Sequence, residues 1–392
     1  MSSPRHVDSD NTDLRAIRPL FAAGFVTAFG AHAVAANLGA YSDDLADHLL
    51  TLGILLALYD GAEVILKPVF GSLADRIGPK PVLLGGLLAF AAASAAFVLA
   101  GNPAMLGVAR FAQGGAAAAF SPAAGAIIAR IAPDRRHGRA FGSYGAWKGL
   151  GYTLGPLLGG ALITIGGYPL LFAILTAVAL TVAGWATFAV PRVPPLPRTR
   201  QTVLDLARRL STPRFLLPTS ALAASTAALA TGIGFLPVLG ARSGLGPLAT
   251  GAAVSLLAAA AALTQPRIGR ARDTGRIADR TGITVGLALA AAGLAAPAVL
   301  PGLAGMLTAA LTIGIGIGLV TPLAFAALAA AGPPERLGQT MGSAEVGREL
   351  GDAGGPLLVG ALAVPLTLTG GLLGLAALLA ITAAATGSRR GS

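Results

Sequence analysis

The chain is predicted to be an all-α membrane protein of twelve transmembrane helices, in two six-helix bundles related by a pseudo-two-fold axis along the membrane normal. Three observations lead there. Of its 392 residues 54% are hydrophobic and only 11% charged, which is far from a soluble globular composition. The apolar residues come in long unbroken runs, such as PVLLGGLLAFAAASAAFVLA at 81–100, without the alternation that a barrel strand needs. A glycine-rich segment at 151–162, GYTLGPLLGGAL, returns as GDAGGPLLVGAL at 351–362.

Lipid cannot hydrogen-bond the backbone, so each apolar run is expected to cross as a helix of about 20 residues that satisfies its own peptide groups. Twelve runs qualify: 17–40, 49–71, 82–100, 104–129, 139–165, 169–190, 214–239, 248–266, 282–300, 302–330, 339–363 and 366–386. An even number puts both ends on one side. The connections on that side carry Arg15, Arg76, Lys80, Arg135, Arg136, Arg198, Arg208, Arg267, Arg272 and Arg280, while the opposite connections hold Arg242 beside Asp43, Asp44 and Asp47. Positive loops stay cytoplasmic, so both termini are expected in the cytoplasm, and topology accounts for the net charge of +11. The basic runs lack interleaved aromatics, so no nucleic-acid partner is expected. The polar first residues read as a tail, not a signal peptide. The segment 191–213 breaks the apolar pattern with prolines and then offers an amphipathic stretch, which reads as a cytoplasmic linker with a surface helix. It separates an N-terminal bundle, 1–190, from a C-terminal bundle, 214–392.

Sliding the chain along itself explains the recurring segment. At an offset of 200, residues 138–162 match 338–362 at twelve of twenty-five positions, and Gly114, Pro122 and Pro133 meet Gly314, Pro322 and Pro333. At an offset of 198, Pro68, Gly71 and Asp75 meet Pro266, Gly269 and Asp273. The counterpart of Asp75 is left open between Asp273 and Asp279, because the second copy of that loop is expanded. Parallel six-span repeats imply a working site between two bundles.

Three motifs carry a family resemblance. GSLADRIGPK at 71–80 resembles the loop signature of the major facilitator superfamily, RFAQGGAAAA at 110–119 its fourth-span arginine motif, and GLGYTLGPLLGG at 149–160 the fifth-span motif of its twelve-span drug/proton antiporters. Pro79 departs from the loop signature, which more often has a basic residue there. The resemblance implies that Gly71, Asp75, Arg76 and Gly78 form a conformational latch, with Asp75 engaging the start of the eleventh helix near Gly338 to Thr340. A carboxylate there would be favoured by unpaired amides and the helix dipole. It also implies that the fifth-span motif seals the bundles on the outer side. Physically, Gly151, Gly155 and Gly159 recur every four residues as a smooth stripe that lets another backbone approach, and Pro156 bends the helix. Gly355 and Pro356 repeat this in span eleven.

Ionisable groups at membrane depth cost about 2.5–3.5 kcal/mol each on insertion scales and mark function. Eight are expected inside: Asp60 and Glu63 in span two, Arg110 in span four, Lys148 in span five, and Glu345, Arg348, Glu349 and Asp352 in span eleven. The last four, at i, i+3, i+4 and i+7, share one helix face. At about 1.5 Å per residue, Lys148, its repeat counterpart Arg348, and Asp60 fall near the midplane. Three cations against five acids leave an excess of carboxylate that protons can relieve. Asp60, Glu63, Arg110, Glu345, Arg348, Glu349 and Asp352 are therefore the expected proton-coupling set; Arg110 is a fixed charge, since guanidinium does not deprotonate. His32, Asn37, Gln113 and Lys148 are expected to line the substrate cavity.

No phosphate-loop, G-x-S-x-G or H-E-x-x-H motif is present, no histidines are spaced as metal ligands, and there is no cysteine. The chain is expected not to be an enzyme and to hold no cofactor or metal. The function expected is proton-coupled export of small, largely apolar compounds by alternating access; the alternative is proton-coupled import of a small, possibly anionic metabolite. Its partners are then the substrate, protons and the lipid bilayer, with the chain acting as a monomer in a bacterial plasma (inner) membrane.

Overall fold

The computed structural model describes residues 7–41, 48–131, 137–194, 213–331 and 337–388. Every regular element among them is helical. The helices are α1 (Val7–Asn37), α2 (Leu49–Ile77), α3 (Pro79–Ala96), α4 (Pro103–Ile131), α5 (His137–Ala189), α6 (Pro213–Arg242), α7 (Pro247–Asp273), α8 (Asp279–Val299), α9 (Gly302–Ala331), α10 (Leu337–Ala363) and α11 (Leu368–Ser388). Among the described residues ten helical stretches are long and apolar enough to cross a membrane. Helix α10 falls outside that set; it is the helix whose charged face the sequence picks out. Helix α5 runs 53 residues but is broken at Gly166 (φ −146°, ψ 19°) and Gly167 (φ 71°, ψ −176°), at the gap the sequence leaves between 165 and 169. Only glycine takes such a positive φ without strain. The predicted linker residues 195–212 lie outside the described residues.

By contact the chain groups into two compact units: Met1–His32 with Ala62–Gly155 and Leu162–Thr199, and Ala33–Gly61 with Pro156–Ala161 and Arg200–Ser392. The first unit is centred on Leu83, Leu87, Phe90, Phe120, Ile127 and Ala183, all buried. Glycine sets how closely its helices pack. A methyl group on Gly86 of α3 would stand 3.0 Å from the Ala116 carbonyl oxygen of α4. In the second unit, Gly286 of α8 meets the Gly316 carbonyl oxygen of α9 at 2.6 Å by the same measure. Each pair is the other displaced by 200 residues.

The same displacement links two cations. Lys80 Nζ donates to the Thr187 carbonyl at 2.8 Å, and Arg280 donates through Nε to the Thr386 carbonyl at 2.7 Å and through Nη2 to that of Gly387 at 2.5 Å. In each unit, a cation at the start of one helix satisfies carbonyls left open at the C-terminal end of another, which also suits the helix dipole. Beside Arg280, Asp279 accepts from Arg272 at 2.6 and 3.2 Å. Gly78, at φ 90°, makes the turn between α2 and α3, with a Cβ position 3.2 Å from the Val193 carbonyl oxygen.

Gly286→Val is expected to destabilise the purified protein by about 1–3 kcal/mol through overpacking, read as a lower thermal midpoint in detergent. Gly85→Val, where an added Cβ meets nothing within 4 Å among the described residues, should leave the midpoint in place.

Candidate functional site

The charged face of α10 is the chemical centre of the second unit. Glu349 and Asp352 are 3% and 9% exposed. Arg348 Nη2 donates to Glu349 Oε1 at 2.8 Å, and its Nη1 donates to Asp352 Oδ2 at 3.3 Å. Asp60 of α2 joins them: one carboxylate oxygen from each of Asp60, Glu349 and Asp352 lies within 4.8 Å of the others. The α10 backbone is pinned at this point, because Thr226 of α6 donates its hydroxyl to the Arg348 carbonyl at 2.7 Å. Gly351 and Gly355 let α6 come close, with their Cβ positions against the Ala223 and Ala227 carbonyl oxygens.

Three carboxylates around one guanidinium carry a surplus of negative charge when all are ionised. A proton shared within the group would relieve it. The spacing would also suit a cation, and this is the one such carboxylate group among the described residues. Arg348 bonded to two of its three members already supplies the positive charge, which disfavours a divalent metal there.

Next to this cluster, two close backbone contacts use repeat-related residues. A Cβ on Gly53 of α2 would stand 2.5 Å from the Pro356 carbonyl oxygen of α10, and one on Gly360 would stand 2.7 Å from that of Leu49. Gly251 of α7 meets the Pro156 carbonyl oxygen in the same way, and Gly160 of α5 that of Pro247. Ser255 adds a hydrogen bond from the Leu157 amide, 3.1 Å. Gly53 and Gly251 are 198 apart, Gly160 and Gly360 are 200 apart, and all four lie in the second unit. The predicted stripe divides its labour: Gly151 packs on Phe25 and Ala28 of α1 and Gly159 on Ala33, Gly155 is buried, and it is Pro156 and Gly160 that meet α7. Gly53, Gly160, Gly251 and Gly360 were not expected as site residues, although their positions in the repeat could have flagged them.

In the first unit, Arg110 is 2% exposed and donates Nη1 to Gln113 Oε1 at 2.9 Å. Gln113 is fully buried, and its Nε2 has no hydrogen-bond partner among the described residues. Glu63 forms an ion pair with Lys67 one turn on, within the first unit. Lys148 Nζ lies 6.0 Å and 5.7 Å from the ring centroids of Tyr144 and Tyr152. His32 Nδ1 is 3.2 Å from the Ala28 carbonyl oxygen, and its ring lies 4.3 Å from that of Tyr152. Asn37, in the second unit, donates Nδ2 back to the Ala33 carbonyl at 2.8 Å. Gly71 lies 3.9 Å from Pro122 by its Cβ position, and Arg76 is exposed. The side chains of Asp75 and Glu345 lie outside the described residues, as do those of the start of α10 that Asp75 was expected to engage.

Residues 20–356 match the family model described as Major Facilitator Superfamily. The multidrug resistance protein MdtG of Erwinia billingiae is 28% identical over 179 residues, 44% of this chain and 44% of that protein. The quinolone resistance protein NorA of Staphylococcus aureus is 30% identical over 141 residues, 36% of each chain. The chain thus spans less than half the length of these curated relatives in the matched region. A solved bacterial homolog to the human lysosomal transporter Spinster superposes with a TM-score of 0.79 over 98% of this chain and 97% of its own, at 17% identity.

Arg348→Met should strand the three carboxylates and lower the thermal midpoint. Breaking a fully buried pair costs roughly 3–5 kcal/mol, and the 22% exposure of the Arg348 side chain reduces that here. Adding Asp352→Asn should restore part of the loss. A double variant no more stable than Arg348→Met would contradict the charge balance.

Proposed function

This chain belongs to the Major Facilitator Superfamily, and on that footing we propose that it is a proton-coupled secondary transporter that exports small, largely apolar compounds by alternating access. The family is one of transporters, so no catalytic step is sought. The observation that carries the proposal is the gathering of Asp60, Glu349 and Asp352 around Arg348. Two helices far apart in sequence, α2 and α10, contribute to one charge set, so a movement of either changes its charge balance.

With one proton on the three carboxylates the set is nearer neutrality and tolerates closure away from water; with the proton gone, repulsion favours the arrangement that separates Asp60 from α10. A proton taken up on the outer side and surrendered on the cytoplasmic side would then drive the substrate the other way. Coupling requires only that the protonated and unprotonated forms prefer different conformations. The paired contacts of Gly53 with Pro356 and Gly251 with Pro156 are where we place the outer gate, since glycine lets these helices meet backbone to backbone and separate without unlocking side chains. Arg110 is proposed as a fixed charge of the proton path and Gly71, Asp75, Arg76 and Gly78 as the cytoplasmic latch. The remaining parts of the proposal are twelve spans in two six-helix bundles, cytoplasmic termini, a bacterial plasma membrane and action as a monomer. The export direction is supported by the fifth-span motif and by the drug-resistance names of MdtG and NorA.

Everted vesicles test the proposal. Addition of an exported compound should dissipate a preformed inward-acid gradient, and Asp60→Asn or Glu349→Gln should abolish that response at least tenfold more than they weaken substrate binding. Wild-type gradient dissipation in both variants would overturn the coupling assignment; uptake into whole cells without any vesicle response would favour import.

A further inference from the structure

Positions 148 and 348 are the same place in the two copies of the repeat, yet their surroundings differ. Arg348 has Ala344 one turn before it and Asp352 one turn after, and it bonds to Asp352 and to the adjoining Glu349. Lys148 has tyrosine at both flanking positions, Tyr144 and Tyr152, whose ring centroids lie 6.0 and 5.7 Å from its ammonium nitrogen. Residues four apart share a helix face, so α5 presents ring, cation, ring in sequence along one line.

The aromatic surface extends beyond this line. His32 of α1 packs on Tyr152 with ring centroids 4.3 Å apart, and its Nδ1 edge is engaged with the Ala28 carbonyl. Trp147 meets Phe25 edge to face at 6.3 Å and keeps 44% of its surface exposed. The Tyr144 hydroxyl is buried, with the Ser121 side chain as its neighbour. Gly24 of α1 makes room for this arrangement: its Cβ position lies 2.8 Å from Tyr144 and 3.2 Å from Lys148. All of these residues belong to the first unit.

We infer that this face is a substrate subsite for planar aromatic compounds bearing one acidic group, a carboxylate or a phenolate. The inference rests on the transporter assignment above and names the substrate class it leaves open. An ammonium among π faces is held by the ring quadrupoles, and a ligand ring can stack offset on tyrosine, histidine or tryptophan. The acidic oxygen would accept a charge-assisted hydrogen bond from Lys148 Nζ, worth more than a neutral one, with the Tyr144 hydroxyl as a second donor. The two copies of the repeat would thereby divide the task, carboxylates at 349 and 352 serving the proton and tyrosines at 144 and 152 serving the ligand.

Equilibrium binding to the purified full chain in lipid nanodiscs, without any proton gradient, tests the subsite. The probes are 2-naphthoate, the uncharged 2-naphthamide and the cationic 2-naphthyltrimethylammonium, followed by calorimetry and by quenching of tryptophan fluorescence. The wild type should bind 2-naphthoate at least tenfold tighter than 2-naphthamide and the cation weakest. Lys148→Met should erase the preference for the acid while leaving 2-naphthamide within threefold, Lys148→Arg should retain most of it, and Tyr152→Leu should weaken acid and amide alike. Equal binding of acid and amide by the wild type, or preference for the cation, overturns the subsite even if no variant can be purified. Either result leaves vesicle transport of other compounds intact, whereas loss of gradient-driven transport with this binding pattern retained would count against the transport mechanism alone.

Discussion

A charge in lipid must be answered by another charge or by a dipole, and this chain's interior is organised by that demand. Arg348 is answered by Glu349 and Asp352, and Asp60 approaches them. Glu63 is answered by Lys67, Arg110 donates to Gln113, and Lys148 lies among tyrosine rings. The first of these groups differs in kind from the rest. It contains more carboxylate than cation, which is why we propose that a proton balances it. The third acid, Asp60, keeps one carboxylate oxygen within 4.8 Å of the other two.

Glycine supplies the complementary freedom. At Gly53, Gly160, Gly251 and Gly360 the helices touch through backbone, without interlocking side chains, and small residues at such contacts are how membrane helices approach closely. The duplicated sequence is visible in the packing itself. Gly86 and Gly286, Lys80 and Arg280, Gly53 and Gly251 each perform the same task 198 or 200 residues apart. Where the copies diverge, as at 144, 148 and 152 against 344, 348 and 352, the divergence falls on side chains that carry charge or rings.

Much of this was legible in the sequence, for identifiable reasons. Span positions follow from unbroken apolar runs, and the break at Gly166 and Gly167 falls where two glycines interrupt one. The spacing of Arg348, Glu349 and Asp352 put them on one helix face before any coordinates. Asp60 and Glu63 both belong to the expected proton-coupling set; Asp60 contributes to the carboxylate group with Glu349 and Asp352, and Glu63 forms an ion pair with Lys67 one turn on. Asn37 donates its amide back onto its own helix at Ala33, a choice of rotamer that the sequence does not encode. Gly160 sits about 100° around the helix from the stripe of 151, 155 and 159 and so addresses a different neighbour, which the spacing of the stripe does not reveal. Tyr144 and Tyr152 were accessible through their i±4 relation to Lys148, a signal overshadowed by the charges.

We propose that a proton resides among Asp60, Glu349 and Asp352 in one conformation and leaves in another. Infrared difference spectroscopy of the purified protein in lipid addresses this directly, by following the carbonyl stretch of protonated carboxylic acids as a transported compound is added at constant pH. A protonated-carboxyl band should decline on substrate addition and be absent from Asp60→Asn and Glu349→Gln. A wild-type spectrum with no such band from acid to neutral pH, or a band unchanged in both variants, would contradict it.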